Sequence, residues 1–425
     1  MKPSKHYKTM IFFAYLVLFN AINPIRAQTI ELKKTNFQSI DAHVDKASKM
    51  HFKNTKSLAA YLIQPAKTDL EKIRAIYRWV TANIDYDTKS YFSGAYEPTD
   101  SEYVFQSGKS VCEGYSNLFD ALAREAGIES VKISGFAKGY GYIQGSVDDK
   151  TNHAWNAVKL NGKWYLIDTT WGSGYLENRS FIRRFEEHYF LTSPIQFIYD
   201  HFPENPKWQL LDKTISKEEF IKRPYLRPDF FRNGLVLINH NTGNITANDR
   251  LTFTLGKENA QANSSILAML YLNQQELDKR QLFVQSKGDN IEVMIRFPHK
   301  GEYILRIFVR PQNEGGAYAW AGDFHITANA GTKEIFPFAY DTSGINVHLL
   351  SPIQGILNQG DVYDFSIEAY NAEAVAVAAD RKWIHLEKKE NRFSGQVKAS
   401  AGDITVFVKY PGKSNFRGLY KFTGR

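Results

Sequence analysis

A single cysteine, Cys112, among 425 residues excludes an internal disulfide and any metal site built on a cysteine cluster. No HExxH, CxxC, Walker or GxGxxG pattern occurs, so zincin, dithiol, P-loop and dinucleotide chemistry all lack their signatures. His188 and His201 stand too far apart for ligand spacing on one helix, and neither a metal nor a cofactor is expected. Charge of one sign is not concentrated. The formal net charge is +8, but acids and bases interleave, as in FIRRFEEHYF (181–190), which reads as a solvated face and leaves no nucleic-acid footprint. With 43% hydrophobic and 23% charged residues, wholesale disorder and a polytopic membrane protein are also excluded.

An apolar run does exist near the N-terminus, MIFFAYLVLFNAI, behind Lys2, Lys5 and Lys8 and ahead of the small residue Ala27. It is too short to span a bilayer and reads as an export signal over residues 1–27. A mature protein without a transmembrane helix, located in the periplasm, at the cell surface or in the medium, is the expectation. An unpaired thiol in an oxidising compartment is either buried or has work to do.

The length suggests three domains, and an aromatic share of 14% favours β-rich ones. Residues 28–64 read as a polar, helical segment. In the next helix Ile73, Ile76, Tyr77 and Val80 fall at i, i+3, i+4 and i+7, with Thr68 or Asp69 at its start. A loop is expected from Asp87 to Lys109, then a helix over GYSNLFDALAREAGI, stopped by Gly127, with Cys112 at or just before its first turn. Two strands follow, HAWNAVKL and KWYLIDTTW, joined by Asn161 and Gly162 as a hairpin turn. From residue 232 onward short apolar runs separated by Gly, Asn and Asp fit two β-sandwiches, 232–331 and 332–425. Gly243, Ile245, Asp249, Leu251 and Phe253 share their spacing with Gly355, Leu357, Asp361, Tyr363 and Phe365, and GEYILRIFVRP parallels GDITVFVKYP with one residue deleted.

The hairpin makes a geometric prediction. A two-residue turn pairs Leu160 with Lys163, which places Trp155 opposite Asp168 and His153 opposite Thr170. His153 and Asp168 then share a face as diagonal neighbours, within reach of an imidazole–carboxylate hydrogen bond. Cys112 at a helix start has the positive end of the helix dipole beside it, and a nearby imidazolium adds to the bias toward thiolate. Each residue alone also has a plain structural reading: a core thiol, a satisfied sheet-edge imidazole, a strand-end acid. Together they form a nucleophile, a base and an orienting acid.

The segments YRWVTANIDYD, VCEGYSNLF and NHAWNAVKLNGKWYLIDTTWG, in that order, resemble the transglutaminase-like superfamily, particularly the kyphoscoliosis peptidase branch with its exported bacterial relatives. The resemblance covers roughly residues 65–230. It implies an α+β, papain/transglutaminase-like core over 65–231 followed by two all-β, Ig-like sandwich domains, and acyl transfer through a thioester with Cys112 as nucleophile, His153 as base and Asp168 as orienting acid. Gln106, six residues before Cys112, has the spacing of the papain-like oxyanion donor. Trp155 and Trp171 are expected to wall the substrate cleft or pack the core. The expected function is an exported thiol enzyme acting on amide bonds of a peptide or protein substrate, a peptidase by family analogy. A cross-linking transglutaminase shares the same acyl-enzyme. A non-catalytic scaffold whose sandwiches grip a cell-envelope protein or glycan is the competing class.

Overall fold

A computed structural model describes residues 35–47, 50–146, 148–258, 264–288, 290–311, 316–340 and 346–425. The export signal expected over residues 1–27 lies outside them. The chain divides into two compact units, Met1–Tyr140 with Lys150–Thr214, and Gly141–Asp149 with Ile215–Arg425. This division differs from the expected bounds of 65–231: residues 141–149 and 215–231 group with the second unit. There the Gln144 amide donates to the carbonyls of Ile221 and Arg223, and Tyr225–Leu226 pairs with the strand Ala319–Ala328.

Helices α1 (Gln38–Ala47), α2 (Thr55–Leu62) and α3 (Asp69–Asn83) open the first unit. Thr68 and Glu71 form a capping box at the start of α3, and Ile73, Ile76, Tyr77 and Val80 are buried on it, as their spacing requires. Arg74 is buried on the same helix. Its guanidinium meets both carboxylate oxygens of Asp41 on α1 at 2.8 Å and Glu187 at 2.6 Å, which draws α1 into the core shared by α2 and α3.

The stretch expected as loop between Asp87 and Lys109 holds two short helices, α4 (Thr88–Ser93) and α5 (Ser101–Ser107). Asp87 and Asp100 accept from the first-turn N–H groups, and left-handed Gly94 and Gly108 end them, so each helix runs from a capping acid to a C-terminal glycine. β1 (Asp85–Tyr86) pairs in parallel with β2 (Lys109–Ser110) around them. Helix α6 (Cys112–Glu125) follows at once, and Tyr115, Leu118, Phe119, Leu122 and Ala123 form its buried stripe.

Across α6 lies an antiparallel sheet of β3 (Ser130–Ala137), β4 (His153–Leu160), β5 (Lys163–Ile167) and β8 (His201–Pro203), in the order β5-β4-β3-β8; the hairpin β6 (Gly174–Glu177) and β7 (Ser180–Arg183) stands apart from it. Asn161 and Gly162 both have positive φ, 50° and 78°, the turn geometry that matches strand twist. The register then runs from Leu160–Lys163 to Asn156–Ile167, as counted from the turn. β4 is buried on both faces: Val158 and Leu160 join the helical core, while Trp155 and Ala157 pack with Ile133, Leu166, Tyr189 and Phe197.

β3 passes so close to its neighbours that Gly135 has no room for a side chain. A Cβ there would stand 2.4 Å from both the Trp155 ring and the Phe202 carbonyl oxygen. Because one of those atoms is backbone, Gly135→Ala is expected to destabilise the first unit by about 1–3 kcal/mol. Thermal unfolding checks this, and an unchanged melting temperature would show that β8 can move away freely.

The second unit contains two β-sandwiches. In the first, Asn244–Ala247 pairs in parallel with Ala319–Ala328 and the chain then crosses to the opposite sheet as Arg250–Lys257. In the second, Ile356–Leu357 pairs in parallel with Arg417–Gly424 before Val362–Ala369 does the same. The repeated spacing in the sequence is thus one switch between sheets used twice. The matching strands Gly301–Pro311 and Gly402–Lys409 each carry a register shift, after Ile307 and after Val406.

Candidate active site

Cys112 is the first residue of α6. The N-cap position is Val111, which offers no side-chain hydrogen bond, so no side chain caps the first-turn N–H groups; Gly114 donates to the Val111 carbonyl at 3.0 Å, and Cys112 at this end is half-buried. His153 begins β4 and is 9% exposed, and Cys112 is among the groups that raise its proton affinity. Its Nε2 lies 2.8 Å from Asp168 Oδ2, which leaves Nδ1 as the nitrogen for the sulfur. Asp168 is fully buried. It does not reach His153 as a diagonal partner within the ladder, because β5 ends at Ile167 and Asp168 instead caps α7 (Thr169–Ser173), accepting on Oδ1 from the N–H groups of Thr170 at 2.7 Å and Trp171 at 3.0 Å. The strand expected through TTW turns helical at that point, since an aspartate that captures the next two amides stops a strand.

Burial alone would lower the proton affinity of His153, but the Asp168 charge and hydrogen bond, with the contact to Cys112, push it up to about 10. Asp168, despite burial, is held well below the carboxylate range by His153 and then by His201. The imidazolium–carboxylate pair has a defined stability window. The Asp168 contribution is present above its ordinary 3.8 and lost as pH falls toward its folded value. The His153 contribution is complete below 6.5 and lost as pH rises through about 10. The melting-temperature gap between wild type and His153→Gln should therefore be widest between about pH 4 and 6.5 and should narrow on both sides; a gap independent of pH would mean that the pair is not ionised.

His201, which the sequence offered only as half of a rejected metal pair, is also at the site. It lies on β8, opposite Ala137 of β3, and is fully buried. Its Nε2 is 3.0 Å from Asp168 Oδ2 and its Nδ1 is 2.6 Å from Asp200 Oδ1. The ligand-capable atoms of His153, Asp168 and His201 lie within 4.8 Å of one another. Both Nε2 atoms, however, face the same carboxylate oxygen at hydrogen-bond distance, so the trio is satisfied internally and a cation would have to displace those bonds.

Trp155 is fully buried between His153, His201 and Phe197. It packs behind the imidazoles and does not line an open cleft, because β4 is buried on both faces. Trp171 is half-buried with its ring 5.3 Å from that of His153. Gln106 lies exposed in the last turn of α5. Burial, and after it the nearby Cys112, push the Tyr86 phenol up. Tyr115 is buried and donates to the Ile84 carbonyl at 2.5 Å, a packing role.

Residues 56–169 match the family described as transglutaminase-like superfamily, and residues 217–339 match the KY-like, immunoglobulin-like domain. The chain is 35% identical over 286 residues to the kyphoscoliosis peptidase of Mus musculus, covering 65% of this chain and 41% of that protein. It is 33% identical over 298 residues to that of Homo sapiens, covering 68% and 43%. Hillarin of Drosophila melanogaster is 30% identical over 228 residues, covering 50% of this chain and 28% of hillarin. The chain thus spans about two fifths of the length of the two kyphoscoliosis peptidases.

Proposed function

We propose, from the premise that this chain carries a transglutaminase-like domain followed by a KY-like immunoglobulin-like domain, that it is a thiol enzyme acting on amide bonds of a peptide or protein through a Cys112 thioester. The observation that carries the reading is the buried His153–Asp168 hydrogen bond at 2.8 Å, on an imidazole whose proton affinity Cys112 also raises. A protonated His153 holds the proton that the leaving group needs.

In the reaction, Cys112 Sγ attacks the amide carbonyl carbon and the carbonyl electrons move to oxygen. The N–H of Cys112 at the start of α6 is the proposed backbone donor for that oxyanion, and Gln106 is the proposed side-chain donor. As the oxyanion collapses, the C–N bond breaks, His153 Nδ1 gives its proton to the departing amine, and the acyl group stays on sulfur. His153, now neutral, takes a proton from water as the water oxygen attacks the thioester, which releases the acid and restores the ion pair. An amine in place of that water gives cross-linking with the same residues. Hydrolysis is preferred here by analogy with the relatives named peptidase. Export, and a cell-envelope protein or glycan as the partner of the sandwiches, belong to the same proposal and rest on the N-terminal pattern and the β-sandwich architecture.

Iodoacetamide labelling of Cys112 tests the reading without a known substrate, because there is one cysteine to label. At pH 6.5 wild type is expected to react about tenfold or more faster than His153→Ala. Equal rates would sink the thiol-enzyme reading and leave the chain as a scaffold.

A further inference from the structure

Asp200 and His201 are not required by the three-residue chemistry, yet both are buried and aimed at it. Each nitrogen of His201 stands at hydrogen-bond distance from a carboxylate oxygen. A carboxylate only accepts, and a neutral imidazole has a single N–H, so both contacts are met only by a ring protonated on both nitrogens. Neither acid needs the proton. Asp168 already accepts two backbone N–H groups on its other oxygen, and Asp200 Oδ2 accepts the Tyr189 hydroxyl at 2.9 Å.

The surroundings suit a cation. Phe197 stacks on the His201 ring at 4.0 Å and 20°, and the rings of Trp171 and Trp155 lie 4.4 and 5.0 Å away, which fixes the ring plane and offers aromatic faces to a positive charge. The titratable groups facing it are Asp168, Asp200, the His153 ring at 5.3 Å, the Tyr189 ring at 5.8 Å, and buried Lys138, whose backbone N–H donates to the Asp200 carbonyl.

We propose that His201 is a second imidazolium, held by Asp200, that shares the Asp168 carboxylate with His153 and so loosens the proton on His153; Asp200 and His201 are positioning residues for the thiol reaction. The inference rests on the thiol-enzyme reading. One oxygen serving two cations attracts each less than it would attract one alone, and the two rings repel across 5.3 Å. His153 therefore gives up its proton to a leaving amine more readily than it would over an unshared Asp168, while the added positive charge favours the thiolate.

Asp200→Asn tests this in the full chain. The Asn amide can donate to Nδ1 of a neutral His201 and still accept from Tyr189, so the hydrogen bonds are kept and the charge is lost. The midpoint of the pH profile for iodoacetamide alkylation of Cys112 is expected to rise by about one pH unit, with the melting temperature close to wild type. His201→Gln, which retains a donor toward Asp168, should move it the same way. A profile that depends on His153 but is untouched by both variants overturns this inference alone. A wild-type profile indifferent to His153→Ala overturns the thiol-enzyme reading and this inference with it. Should neither variant fold, the 15N imidazole spectrum of the wild-type chain at pH 8 decides: two protonated nitrogens on His201 support the proposal, and one overturns it.

Discussion

Cys112→Ala is expected to abolish turnover, by about 10⁴-fold or more, while the melting temperature stays within about 3 °C of wild type. The two halves of this result have separate causes. In the proposed reaction the sulfur forms and releases the acyl bond, and alanine offers no nucleophile in its place. Folding depends on the stripe from Tyr115 to Ala123 along α6, which does not include residue 112. The sulfur is half-exposed, so removing it opens no closed cavity, and alanine is a better helix former than cysteine. Product release from a peptide library, followed by mass spectrometry, measures the first half; thermal unfolding measures the second. Retained turnover would remove Cys112 from the chemistry, and a drop of ten degrees would assign it to the core.

Asp168 is expected to behave differently, because it serves fold and chemistry together. Its two oxygens take His153, His201 and the N–H groups of Thr170 and Trp171, all within the buried interior. Asp168→Ala leaves two imidazoles and two amides without their acceptor, and breaking a buried pair by removing one partner costs about 3–5 kcal/mol. Asp168→Asn keeps an acceptor for the two amides and turns an N–H toward the two imidazoles. His153 must then present a lone pair where it had donated, which puts its proton on the wrong nitrogen, and turnover should fall by about 10³–10⁴-fold with a smaller loss of stability. Without the carboxylate charge the high proton affinity of His153 also collapses, so any basic limb of activity near pH 10 should move down. Turnover of Asp168→Asn near wild type would remove Asp168 from the reaction, and an Asp168→Ala chain as stable as wild type would show that the hub is dispensable to the fold.

The parts of this site that could be read from the chain are those fixed by local rules. Asn161 and Gly162 specify a turn, the turn specifies register, and the register carried His153 to within reach of Asp168 even though the ladder stops one residue early. The helix beginning at Cys112 was legible from the run GYSNLFDALAREAGI and its stop at Gly127. What could not be read depended on distant pairing. His201 follows Asp168 by an irregular stretch and meets it through β3, a strand it pairs with only after the sheet has closed, and nothing near position 201 announces that partner. The short helices α4 and α5 were legible in principle, since Asp87 and Gly94, and Asp100 and Gly108, bracket them; their polar composition read as loop. In the second unit the repeated spacing was legible because both sandwiches place the same glycine, aliphatic and acid before the same change of sheet.

β8 is the last strand of the β5-β4-β3-β8 sheet to leave the ribosome, and His201 arrives with it. A chain under synthesis therefore holds Cys112 and His153 well before the sheet is closed, and the full set of contacts to Asp168 exists only once this short, sequence-distant strand has docked. Contacts of that kind form late because a long loop must be closed first. The thiol is then a clock for folding as well as a reagent: its reactivity toward iodoacetamide, sampled during refolding, should reach the native rate in the same phase that docks β8 and not in the earlier one that forms the helices.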